Sequence, residues 1–177
     1  MNQTYYLTPG GRRRVQRRLA KALAAYKAVT DDNPEAMESG DTSVWHDNFA
    51  YEENQRQMHM LGRAVRDIRQ LLATCTVVTP PVRTPDRVTL GTAVVFRAAG
   101  EMPRRCWIAG WDDGDPAAGR VSYNSPLGRA LMGAEPGDVR ELRVEKTIRS
   151  VELLDIGAID PSDDDDTIQE GDSCAAA

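Results

Sequence analysis

The stretch "LTPGGRRRVQRRLAKALAAYKAV", residues 7–29, sets the architecture. Thr8-Pro9 is a helix start, with Thr as N-cap and Pro at the first helical position. From there Val15, Leu19, Ala22, Tyr26 and Val29 recur at spacings of 4, 3, 4 and 3, the a/d seam of a coiled coil. Asn33-Pro34 weakens the helix, because a residue before Pro avoids the α region, and Gly40 stops it. A second helix is expected from about Asp47, with its own seam at Tyr51, Asn54, Met58, Leu61, Val65, Ile68 and Leu72. Two seams joined by a short bend predict an antiparallel coiled-coil hairpin. At ~1.5 Å per residue each arm is about 40 Å long.

Working outward, "TPPVRTPD", residues 79–86, reads as a Pro-rich linker. Beyond it Val88–Leu90, Thr92–Phe96 and Arg105–Ile108 are short β-type segments parted by Gly and Asp-Gly turns. Asp112-Asp113-Gly114-Asp115 lacks the spaced ligands of a calcium loop and reads as a hairpin turn. "NSPLGRALMG" is a short helix capped by Ser125, and "DVRELRV" and "KTIRSVELLDI" read as two closing strands. The fold class is therefore α+β, in four parts: a hairpin over 1–78 with its tip at about 40–47, a linker over 79–87, a small domain over 88–157, and an acidic tail over 158–177 expected to be disordered.

Charge is segregated along the chain. Arg12, Arg13, Arg14, Arg17, Arg18 and Lys21 make a basic root at the start of the first helix, while acids crowd the bend. Lys and Arg number 22 against 27 acids; eight of the acids lie from Asp155 onward, so the remainder is mildly basic. No apolar run approaches the ~18 residues of a membrane span, and no signal peptide is visible, so a cytoplasmic protein is expected. Cys75, Cys106 and Cys174 have no C-x-x-C partner and read as free thiols. There is no Walker loop, nucleophile elbow or zinc motif.

At the bend, Asp41 and Asp47 flank five residues that include Val44, Trp45 and His46. Two carboxylates on a projecting arm can share a magnesium ion held elsewhere, but without a pocket they hold no metal stably alone and form no active site. The plainer reading makes Asp41 a turn residue and Asp47 an N-cap. Trp45 either inserts into a partner or folds back on Val44 or Phe49.

The motifs "YLTPGGRRRVQRRL", Gly40-Asp41, "DNFAYEENQRQ" and above all "VSYNSPLGRALMGAEPGDV" resemble the bacterial Gre-factor family, GreA and GreB, over about residues 5–155. The resemblance implies an FKBP-like C-terminal domain that docks on the rim of the RNA polymerase secondary channel, on the largest subunit. Tyr123, Asn124, Ser125 and Pro126 stand in the docking loop. It further implies a hairpin that enters the channel, tip acids that approach the polymerase magnesium, and a basic root near the rim or near 3′ RNA or DNA. It makes the chain a monomeric modulator of another enzyme's site, with no cofactor of its own. Cleavage-stimulating relatives read Gly-Asp-Leu-Lys-Glu-Asn at the tip. Here "DN" at 47–48 matches the final pair only with three residues inserted. A misplacement of about 1 Å disables a catalytic constellation. The lengthened tip favours a non-cleaving inhibitor over a transcript-cleavage factor. A peptidyl-prolyl isomerase has little support, since Phe96, Trp107, Trp111 and Tyr123 are the few aromatics available for a pocket.

Overall fold

The computed structural model describes residues 4–31, 49–144, 147–159 and Asp164. They fall into two compact units. One is Val15–Cys75; the other joins Met1–Arg14 to Thr76–Ala177.

The first unit is the hairpin. Helix α1 spans Pro9–Asp31 and helix α2 spans Phe49–Thr74. The seams hold: Val15 and Val65 are buried, and Leu19, Ala22, Tyr26, Val29, Asn54, Met58, Leu61, Ile68 and Leu72 are half-buried. The Asn54 carboxamide donates to the Val29 carbonyl at 3.1 Å, and the Tyr26 ring lies over Gly62, which fixes the helices as antiparallel. The expected bend, with Asp41, Val44, Trp45, His46 and Asp47, lies outside the described residues.

The second unit is α+β. Strands β1 (Tyr5–Leu7) and β2 (Cys75–Val77) pair with each other. A five-stranded sheet contains β3 (Thr92–Ala98), β4 (Arg104–Ala109), β5 (Arg120–Ser122), β6 (Val139–Val144) and β7 (Thr147–Ala158) in the order β5-β4-β3-β7-β6. The short helix α3 (Pro126–Leu131) precedes β6. Val94, Phe96, Cys106, Ile108, Leu131, Val151 and Leu153 form the main core. Val88–Leu90 joins it as a buried connection rather than a strand. Its backbone pairs with the turn after α3, Val88 N–H donating to the Ala134 carbonyl at 2.9 Å.

Two further expectations change. β4 and β5 run parallel, in the register Trp107↔Arg120 to Ala109↔Ser122, so Asp112–Asp115 is part of a crossover, not a hairpin turn. The unit boundary also falls inside α1, because the start of the chain packs on the sheet domain. Leu7 is fully buried with its side chain against Gly110, where a Cβ would sit 2.8 Å from a Leu7 methyl. Burying one such side chain stabilises by about 2 kcal/mol. At the other end, Ala158 closes β7, Ile159 is buried, and Asp164 is buried too; the rest of the expected tail lies outside the described residues.

Candidate functional site

Ser122, Tyr123, Asn124, Ser125 and Pro126 connect β5 to α3, and the connection is held from several sides. Tyr123 N–H donates to the Ala109 carbonyl at 3.0 Å. The Ser122 hydroxyl donates to the Gly110 carbonyl at 2.5 Å and also touches the Asn124 carboxamide. The Ser125 side chain caps α3, accepting from Gly128 N–H at 3.0 Å, with Pro126 at the first helical position, as expected. Gly128 lets helix and loop meet: a Cβ there would lie 2.1 Å from the Ser122 carbonyl oxygen.

Around this loop stands an aromatic group that the sequence reading did not assemble. Tyr6 N–H donates to the Tyr123 hydroxyl at 3.3 Å, and Trp111 N–H donates to the Tyr6 carbonyl at 2.9 Å. Trp111 packs edge-on to Tyr5 at 4.9 Å and tilted to Tyr123 at 6.0 Å, and Tyr6 meets Tyr123 at 6.2 Å. Asp112 holds a positive φ of 51° and donates its N–H to the Asn124 carboxamide oxygen at 3.4 Å. Tyr6, Asp112 and Pro126 are exposed; Tyr5, Trp111, Tyr123, Asn124 and Ser125 are half-buried. Loss of water raises the Tyr123 phenol above its ordinary pKa, so it stays protonated as a hydrogen-bonding group. The doublet Tyr5-Tyr6 was the available clue, but its partners lie more than a hundred residues away.

The basic root divides. Arg12, Arg13, Arg17, Arg18 and Lys21 are exposed on α1. Arg14 is not a surface cation, contrary to its inclusion in that group. It is buried, its guanidinium forks onto Asp113 at 2.7 and 2.5 Å, and it lies 5.5 Å from the centre of the Trp107 ring. The planar fork suits a carboxylate, and the sequence pattern alone does not separate this arginine from its neighbours. Among the described residues no group of three or more His, Cys, Asp or Glu is placed to hold a metal ion. Phe96 and Trp107 belong to separate apolar clusters, so they do not line a common aromatic pocket.

Comparison with known proteins follows the same geometry. The chain is 34% identical over 131 residues to "Transcription elongation factor GreA" of Sphingopyxis alaskensis, covering 72% of this chain and 81% of that protein. The chain belongs to the GreA/GreB family. The family pattern "Transcription elongation factor, GreA/GreB, C-term" matches residues 83–158, which contain the whole Tyr123–Pro126 loop of this Gre-family chain. A second relative, GreA of Roseiflexus castenholzii, is 29% identical over 154 residues and covers 85% of this chain and 96% of its own. A solved structure, GreA factor homolog 1 (Gfh1) of Thermus thermophilus, overlays with a TM-score of 0.42 at 20% identity, over 87% of this chain and 99% of that one. No described helix is long and apolar enough to cross a membrane.

Proposed function

We propose that this Gre-family chain binds RNA polymerase through Tyr123, Asn124, Ser125 and Pro126. It then presents its hairpin to the secondary channel and regulates transcription without stimulating RNA cleavage. The observation that carries the reading is the loop itself, a pre-formed, partly exposed turn inside the segment that matches the family. Pre-organisation of this kind lowers the entropy lost on binding. The largest subunit at the channel rim is the proposed partner. The chain acts there as a cytoplasmic monomer, with no cofactor or active site of its own. The exposed arginines of α1 suit an acidic rim or nucleic acid.

The non-cleaving reading rests on the three inserted residues between Asp41 and Asp47, with Trp45 among them. The second reading, stimulation of hydrolysis of backtracked RNA, is favoured by the name its relatives carry, transcription elongation factor GreA, and by Asp41 at the family position. In that case the two tip acids would help hold a metal at the polymerase's own site.

Stalled, backtracked elongation complexes with magnesium separate the two. Reduced runoff without short 3′ fragments is expected; accelerated release of such fragments would overturn the non-cleaving reading. Asn124→Ala with Pro126→Ala is expected to weaken polymerase capture at least about tenfold, the equivalent of ~1.4 kcal/mol. Equal capture by the double variant would remove the docking assignment.

A further inference from the structure

One residue of the acidic tail is held far from where it stands in the sequence. The Asp164 carboxylate accepts from the Thr8 hydroxyl at 2.6 Å and from Gly10 N–H at 2.8 Å. The Arg14 guanidinium donates to the Asp164 carbonyl at 2.9 Å and lies 3.7 Å from its carboxylate. Asp164 is 4% exposed. The receiving surface is shaped for it. A Cβ on Gly10 would lie 1.6 Å from the Asp164 carbonyl oxygen, so a glycine at position 10 is what admits the segment. The Gly10 N–H lies in the first turn of α1, where an amide has no intrahelical partner, at the positive end of the helix dipole. Thr8 serves two ends, since its hydroxyl oxygen also accepts from Gly11 N–H at 3.0 Å.

We infer that Thr8, Gly10 and Arg14 form a carboxylate socket whose occupant is the chain's own acidic tail, and that the seated tail competes with polyanions for the start of α1. Asp164 is the plug. It belongs to the run Asp163–Asp166, and the exposed Arg12 and Arg13 lie on α1 between Gly10 and Arg14 of the socket. Charge held within a Debye length, ~8–10 Å at physiological salt, acts on its neighbours with little screening. A tethered anion is also present at high effective concentration. The tail therefore sets a threshold that a free polyanion must exceed. This goes beyond polymerase docking and does not depend on it.

The test uses the full chain and a fluorescent single-stranded oligouridylate as the polyanion. Asp164→Asn removes the anionic plug. Gly10→Ala blocks the socket sterically and leaves the net charge unchanged. Truncation after Ile159 removes the competitor. In all three the backbone amide of residue 10, which donates to the Asp164 carboxylate, should exchange faster with solvent than in the wild type. Oligouridylate should bind about three- to tenfold more tightly at low salt, with the gain shrinking as salt is raised. Unchanged amide exchange in Asp164→Asn would mean that the socket is not occupied. Faster exchange with unaltered oligouridylate affinity in both point variants would make the tail a structural strap only. Tighter binding after truncation but not in either point variant would reduce the effect to net charge. Each of these results overturns the inference.

Discussion

Gly128 and Cys106 show how single atoms set the tolerance of the sheet domain. A Cβ at position 128 has 2.1 Å to the Ser122 carbonyl oxygen, and backbone cannot rotate away as a side chain can. Gly128→Ala should therefore cost about 2–3 kcal/mol despite the better helix propensity of Ala, read as a lowered urea midpoint at unchanged slope. Cys106 is buried, and loss of water pushes its thiol from 9.0 up to about 12. The folded state thus keeps the proton longer than the unfolded one. Stability is full below about pH 9 and falls as pH rises toward 12, with a slope of at most ~1.4 kcal/mol per pH unit from this group. A Cys106→Ala variant should lose that part of the alkaline slope, and native Cys106 should resist thiol reagents at pH 8 while half-buried Cys75 reacts. Burial of Cys106 was legible only as an expectation of a free thiol. Which of three cysteines is inert depends on its place in β4.

At the scale of elements, the hairpin was the most legible part. A 4-3 spacing has one geometric solution, and every seam position whose burial is described is buried or half-buried, while most residues off the seam are exposed. Asn54 is the exception in chemistry. Its amide nitrogen reaches the Val29 carbonyl, but its buried oxygen has no hydrogen-bond partner among the described residues. A polar seam residue fixes register at some expense of stability. Asn54→Leu should raise the thermal midpoint by a few degrees, about 1 kcal/mol. A lower midpoint would show that the Val29 bond outweighs the unpaired oxygen. The short strands were harder to read. β5 has three residues, too few for an alternation to declare itself, and its parallel pairing with β4 is set by the crossover rather than by the residues of either strand. Val88–Leu90 has the apolar content of a strand, yet its hydrogen bonds go to the turn after α3.

For the whole molecule, the quoted motifs led to the family but not to the boundary between units. The charge segregation, the helix start at Thr8-Pro9 and the capped helix at Ser125-Pro126 were all visible in the sequence. That residues 5–14 complete the sheet domain was not, because Leu7 over Gly110 and Arg14 on Asp113 are contacts across about a hundred residues. Sequence periodicity is blind to such separations. A fragment of residues 76–177 alone should therefore be less stable than the same domain in the full chain. It lacks the Leu7 side chain and leaves Asp113 without its buried partner, a loss of about 3–5 kcal/mol for the broken pair. Adding a peptide of residues 1–14 should recover part of the thermal midpoint; no recovery would mean that the start of α1 contributes only as part of the hairpin.

The position of β3 has a kinetic consequence. It pairs with β4 on one side and with β7 on the other, and the β7 partners are distant: Thr92 meets Ala158, and Arg97 meets Glu152. During synthesis the β3–β4 hairpin can form early, but the other edge of β3 stays open until the chain has been made through residue 158. For that interval an apolar strand with unpaired backbone groups is exposed, the kind of edge that recruits other chains. Closing such a long loop also slows folding relative to a helical hairpin of the same size. The C-terminal domain is therefore the late and aggregation-exposed step in making this protein, and the α1–α2 hairpin the early one.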